Sequence, residues 1–511
     1  MRKLLLSLSV AALLASACDS ASAPTTNSGG STVVPDHHGP TYPPPQPQPQ
    51  PPVGTPPAGV TFQDPGTNPW VDPARDDKST FALDVDTASY TIAQTYVHDG
   101  NQPDPASVRV EEWVNAFGQE YPAPETDAFA IVADGGPTPF TAADEVLLRI
   151  GLQARTVANR DREQASLTFV IDTSGSMEQG DRLEMVKDAM RILIRGLDKN
   201  DRVAIVSFGS DAQVILGPTP ADQDGTILDA IDRLHPGGST NLEAGLRLGY
   251  ELARRTLTEN GIDRIVLASD GVANVGLTDS ASILDAVHRD AAAGIELVSV
   301  GVGMGNYNDT LLEQLADHGD GFYAYINTRD EARKLFSTNL TSTLQTVALD
   351  AKAQVAFDRE TVAAYRLVGY ENRAIPDRSF SSDSVAAGAI GAGHAVTALY
   401  ALRLAPGAGP RGHLARVTVR WTNPDTGRTQ DLGRDIATSD LAGSFSATDP
   451  HFRLDAIVAQ TAEVLRGSEF AGRTSISDVA DIANREDSNL PASDEAHAFL
   501  DMLRELGRLR D

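Results

Sequence analysis

The residues most able to do chemistry in this chain are aspartates and hydroxyls that gather in one pattern. The stretch LTFVIDTSGSM starts at Leu167 as a mostly apolar run and then sets Asp172, Ser174 and Ser176 at alternate positions. Alternate side chains at the end of an extended segment can converge on one point. Two distant segments offer companions: HPGGSTN supplies Thr240 and LASDG supplies Asp270. Together these are two carboxylates and three hydroxyls, with oxygen as the only donor atom. Hard oxygen donors suit Mg²⁺, Mn²⁺ or Ca²⁺ rather than zinc or copper. Gly175 inside the run is expected to let the backbone turn tightly.

Elements that can bring such residues together follow from periodicity. From about Ser166 the chain alternates short apolar strands with amphipathic helices. LTFVI, DRVAIVSFG, DRIVLASDG, IELVSVGVG and GFYAYI read as strands. AQVILGPT reads as an edge hairpin partner. Leu183, Val186, Met190, Leu193 and Leu197 sit at helical spacing. Asn241 is the expected N-cap of a long helix, and Gly294 the expected end of another. RDEARKLFSTNLTSTLQ is expected to form one helix. Nearly continuous apolar strands separated by helices imply an α/β fold, a doubly wound and mostly parallel sheet covered on both faces. In such a sheet, ligands sit at the carboxyl ends of the strands. LTFVI then becomes a buried central strand with Asp172 as its last residue, and all three donor segments reach the same edge.

Strand-like stretches flank this unit on both sides: FALDV, FAIVADGG and EVLLRIGLQAR before it, KAQVAFD, AAYRLVGY, AVTALYALRL and ARVTVRWTN after it. They are expected to share one β-rich part, with the α/β unit inserted between its halves. The end reads as helical, with Asp449 as a cap and Pro450 in the first turn. Trp113 and Phe117, four apart on a short helix, are expected in a core. Asp84 and Asp86 are expected as turn and cap residues. The expected division is 1–17, 18–78, 79–160, 161–346, 347–440 and 441–511.

The net charge is −28, from 42 basic and 70 acidic residues. That balance excludes nucleic acid as a natural partner, because the phosphate backbone asks for a basic face. It also argues against loose adsorption to anionic lipid. Arg2 and Lys3, an apolar core from Leu4 to Leu14, and the small residues Ala15, Ser16 and Ala17 have the pattern of an export signal over residues 1–17. Cys18, the single cysteine of the chain, follows directly. This arrangement resembles the lipobox of bacterial lipoproteins, which implies acylation of Cys18 and a lipid-anchored protein of the cell envelope. One departure is Ala15, where that pattern usually has leucine. Residues 18–78 centre on YPPPQPQPQPPVGTPP, too poor in large apolar side chains to offset their ordering entropy. Their prolines favour an extended tether at about 3.1 Å per residue.

The segment from about Ser166 to Leu344 resembles a von Willebrand factor type A domain. Its metal-ion-dependent adhesion site has the pattern Asp-x-Ser-x-Ser, a distant Thr and a distant Asp, matched here by Asp172, Ser174, Ser176, Thr240 and Asp270. The resemblance implies direct ligation by the two serines. It implies that Thr240 ligates directly or through water, and that the aspartates act largely through water. LDVDTASYTIAQTYVHDG, VRVEEWVNAF, SDGVANVG and YRLVGYENRAI extend the likeness to a bacterial family of exported type A proteins with characteristic flanking regions.

An ion held by neutral hydroxyls and partly indirect carboxylates stays coordinatively open. A partner's Glu or Asp can complete its shell. The expected function is therefore divalent-metal-dependent protein binding, with an unknown protein ligand and membrane attachment through the N-terminal lipid. The alternative is an envelope scaffold in which the metal is only structural. An enzyme is not expected. Phosphotransfer of the haloacid-dehalogenase type wants a second aspartate where Ser174 stands, and a serine hydrolase wants a Gly-x-Ser-x-Gly elbow.

Overall fold

The structure is a computed structural model that describes residues 62–510, apart from 84, 143, 259–260, 271–279, 304–308, 339–343, 383–386 and 410. Cys18, the export signal, the proline-rich stretch and Asp84 lie outside the described residues. In chain order, β1 (Lys78–Ala82), α1 (Ala88–His98), α2 (Val110–Asn115), β2 (Phe129–Gly136) and β3 (Glu145–Ala154) come first. The α/β unit follows: β4 (Ala165–Asp172), α3 (Arg182–Arg195), β5 (Arg202–Phe208), β6 (Ala212–Pro220), α4 (Asp224–Asp232), α5 (Leu242–Ala253), β7 (Ile262–Ser269), α6 (Ser280–Ala291), β8 (Ile295–Val302), α7 (Asp309–His318), β9 (Tyr323–Ile326) and α8 (Arg329–Arg333). Then come β10 (Thr346–Phe357), β11 (Val362–Val368), β12 (Ile390–Gly391), β13 (Ala395–Leu404), β14 (His413–Asn423), β15 (Arg428–Ala437), α9 (Pro450–Leu465), α10 (Ile476–Glu486) and α11 (Asp494–Arg510).

The α/β unit holds one six-stranded sheet in the order β6-β5-β4-β7-β8-β9. All its pairings are parallel except β5 with β6 at the edge. Alternate residues of β4 serve the two faces. Phe169 and Ile171 pack with Leu183, Val186 and Met190 of α3. Val170 packs with Leu242, Leu246 and Tyr250 of α5. The chain leaves β4 toward β5 on one side and leaves β7 toward β8 on the other. Loops that part in this way open a crevice at the carboxyl edge, between the ends of β4 and β7.

The flanking strands form two antiparallel sheets, β1-β10-β14-β15 with β12 beside β10, and β11-β13-β3-β2. Each mixes strands from before and after the α/β unit, because β1 pairs with β10 and β3 with β13. Phe81, Val355 and Val417 from one sheet share a core with Ile150, Val396 and Leu402 from the other. The opposite face of the second sheet, with Leu147 and Leu399, is covered by helices that contribute Trp113, Phe452 and Phe499, and by Phe117 just after α2. Helix α1 belongs to both parts of the molecule. Ala88, Ile92 and Tyr96 enter the α/β core, whereas Tyr90, Ala93 and Val97 enter the helical core.

Several expectations change. Residues 68–77 do not belong to a free tether: Asn68 Nδ2 donates to the Leu367 and Gly369 carbonyls, and Val71 bridges Tyr365. These partners lie some 300 residues away in the chain, so composition does not reveal them. Asp86 is neither a turn nor a cap. It is buried and accepts from the Tyr323 amide at 2.9 Å and from Arg373 at 3.0 Å, joining the flank to β9. The helix expected from Arg329 is α-helical only through Arg333 and continues as a wider π turn over Lys334–Thr338. Strand β15 leaves little trace in the sequence, because RTQDLGRDIA is a mostly exposed edge strand with little apolar alternation. Helix α10 is an addition to the expected elements, and Ser475 and Asp478 form a capping box at its start.

Candidate metal centre

Strand β4 is buried along its whole length, and Asp172 at its end is fully buried. One residue further, the Thr173 amide and hydroxyl both donate to the Phe208 carbonyl, at 2.7 and 3.0 Å. This extends the pairing with β5 before the chain turns. Asp172 Oδ1 accepts from the Ser174 amide at 2.8 Å, a local turn that Asp side chains favour. Ser174 Oγ then stands 3.0 Å from Ser176 Oγ. The Gly175 backbone is not left-handed, and an added Cβ would meet the Gly238 carbonyl at an ordinary 3.5 Å. The expected conformational need for glycine there is therefore absent. Left-handed residues come later, at Gly180 and Asp181 just before α3.

The loop before α5 is laced to this turn. The Gly175 amide donates to the Gly238 carbonyl at 3.0 Å, and the Gly237 amide to the Thr173 carbonyl at 2.7 Å. Gly238 has φ +84°, and a Cβ there would lie 2.6 Å from Ser210 Oγ, so this glycine is required. Thr240, 2% exposed, is carried to the edge by these bonds. Asn241 caps α5 as expected, its side chain accepting from the Ala244 amide at 3.1 Å.

The third segment adds two residues that the sequence did not single out. Ser269, the last residue of β7, donates to Asp172 Oδ2 at 2.7 Å. Arg182, the first residue of α3, donates through Nη1 to Asp270 Oδ2 at 2.8 Å and to the Ser176 carbonyl at 3.3 Å. Neither had a local signal. Ser269 looks like any strand residue, and Arg182 looks like a solvated residue at the start of a helix. Only tertiary structure turns both toward the carboxylates.

The two aspartates differ in how they are served. Burial pushes the Asp172 carboxyl up to about 6. The hydrogen bonds from Ser269 and Ser174 pull against this, and the charge of Asp270 adds to it. Both Asp172 oxygens have protein donors. Asp270 is fully buried, and its Oδ1 has no hydrogen-bond partner among the described residues. A buried polar atom left unpaired costs about 1–3 kcal/mol, more when charged, so native sites usually supply a partner. A hard cation would be such a partner, and the donor atoms at this edge are all oxygens. Among the described residues no three His, Cys, Asp or Glu side chains cluster to hold a metal, so any ion here relies on hydroxyls for the rest of its shell.

A family model for the von Willebrand factor type A domain matches residues 167–272. Another, described as von Willebrand factor, matches 57–149, and one for the C-terminal part of the uncharacterized protein YfbK matches 342–509. The chain is 34% identical over 444 residues to the uncharacterized protein YfbK of Escherichia coli, covering 82% of this chain and 76% of that one. It is 31% identical over 189 residues to the uncharacterized protein sll0103 of Synechocystis, covering 37% of this chain and 44% of that one. Among solved structures, a von Willebrand factor type A protein from Catenulispora acidiphila aligns with 73% of this chain and 90% of its own, at 17% identity and a TM-score of 0.45. With its α/β sheet and its extended match to one relative, the chain belongs to the YfbK family of von Willebrand factor type A domain proteins.

Proposed function

We propose that this protein binds a protein partner at the bacterial cell envelope through a divalent cation, with Mg²⁺ first and Mn²⁺ or Ca²⁺ as alternatives. The observation that carries the proposal is Asp270 Oδ1, a buried carboxylate oxygen without a hydrogen-bond partner among the described residues, at the edge where Asp172, Ser174, Ser176 and Thr240 also end. Asp172 and Asp270 would supply the negative charge, and the three hydroxyls would supply neutral oxygens. The bound ion would provide an electrophilic point for a carboxylate. A Glu or Asp of the partner would complete the shell by charge-assisted bonding in a setting partly shielded from water. No nucleophile or acid–base pair is assigned, and the protein is not proposed to be an enzyme. Attachment to the membrane would come through acylated Cys18, with the proline-rich segment as spacer.

A pull-down from the native envelope tests this, with wild type and Asp172→Ala, with and without chelator. Partners bridged by metal are expected to vanish in both the variant and the chelated sample. A partner set unchanged by either treatment rejects the reading. A scaffold with a purely structural metal draws support from the buried ion pairs of Arg373, which joins the two flanks through Asp86 and reaches the α/β unit through Glu313. Ser174→Ala separates the two. Loss of partner with the fold intact favours adhesion, and loss of folding or no effect favours the scaffold.

A further inference from the structure

Arg182 is 5% exposed, and among the described residues its position is set from three sides. Nη1 holds Asp270 Oδ2, after β7, and the Ser176 carbonyl, after β4. On the third side lies Gly303, after β8, with φ +71°; a Cβ there would stand 2.3 Å from Arg182 Nε. Gly180 and Asp181, both at φ 58°, turn the chain so that the first residue of α3 points back over the edge. The guanidinium is thus built into the crevice by loops from three different strands.

The charge count gives this placement a consequence. Asp172 and Asp270 contribute −2 and Arg182 contributes +1, leaving −1 before any metal arrives. A divalent ion would bring the site to +1, which one partner carboxylate neutralises. Without the guanidinium the same ion would give zero, and an acidic ligand would have less to gain. Resting on the metal-dependent reading above, we propose that Arg182 is a built-in cation of this centre. It holds Asp270 in place when no divalent ion is bound, weakens ion uptake, and keeps the loaded site positive toward an acidic partner. It is a positioning residue, acting through Asp270 rather than as a ligand.

Calorimetry with MgCl₂ on the full chain tests this, comparing wild type, Arg182→Gln and Arg182→Lys, with melting curves in chelator alongside. Removing the fixed charge in Arg182→Gln is expected to tighten Mg²⁺ binding at least about tenfold. Arg182→Lys keeps the charge and should stay within about threefold of wild type. In chelator, Arg182→Gln should melt below wild type and then gain more from added Mg²⁺. If Arg182→Gln does not fold, Arg182→Met, which keeps the apolar stem, takes the same test. Wild type that binds Mg²⁺ no more weakly than the folded neutral variant overturns the role of Arg182 alone. Equal tightening in the lysine variant overturns the charge argument. Absence of Mg²⁺ uptake by every variant overturns the metal reading and this inference with it. Uptake by Arg182→Gln where wild type takes up none supports it.

Discussion

Two buried arginines, Arg149 and Arg182, meet buried carboxylates in opposite ways. Arg149, on β3, donates to Asp134 at 2.8 and 2.6 Å, to Gln119 and Asp455 at 3.0 Å each, and to Asp449 at 3.1 Å. Asp455 is fully buried, and both its oxygens are served, by Gln119 and by Arg149. Burial still pushes Asp455 up to about 6 against the pull of Arg149. This centre joins a sheet to α9, with both oxygens of its buried carboxylate paired. At Arg182 one carboxylate oxygen, Asp270 Oδ1, has no hydrogen-bond partner among the described residues. Buried charge is common to both places and is not what separates them. What separates them is that unpaired oxygen, which the proposed cation would complete.

The sharpest contrast comes from Asp172→Ala. Divalent uptake, read by calorimetry, should disappear, while stability in chelator should change by less than about 2 kcal/mol, since a poorly solvated carboxylate goes along with its hydrogen bonds. A large loss of stability with uptake retained would reverse the assignment. Arg149→Ala should do the opposite. Stranding Asp455 and Asp134 should cost about 3–5 kcal/mol in urea unfolding, with Mg²⁺ affinity of the folded protein unchanged. A cost under about 1 kcal/mol would show that the hub is not a structural joint.

Glu463 provides a smaller, pH-dependent test. Burial works to raise its pKa, but the guanidiniums of Arg466 and Arg366 outweigh burial and hold it below the ordinary glutamate value. A lowered folded pKa stabilises at pH above the unfolded value, and that stabilisation fades as pH falls through the folded one. Glu463→Gln should therefore cost about 2 kcal/mol at neutral pH and progressively less below about pH 4.5. A cost that is flat or grows on acidification would contradict the pairing.

Local chemistry was legible in the sequence where neighbours in the chain decide the outcome. The strand–helix alternation from Ser166, the antiparallel edge strand β6, and the caps Asn241 and Asp449 all follow from patterns a few residues long. So does the placing of Asp172, Ser174 and Ser176 on one turn, because strand alternation and an Asp-centred turn act over two residues. Helix α10 shows that a short pattern can be present and overlooked. Strand β15 shows that an edge strand with little to bury leaves no periodic signal at all.

By itself the sequence determined the strand–helix alternation of the α/β unit and the edge at which Asp172, Ser174, Ser176, Thr240 and Asp270 end. Tertiary structure alone decided that Asp86 ties two parts together, that Ser269 supports Asp172, and that Arg182 reaches Asp270 across 88 residues of chain. The reason is physical. Periodicity, capping and turns depend on energies among near neighbours, whereas the partner of a buried charge depends on which strands the topology sets side by side.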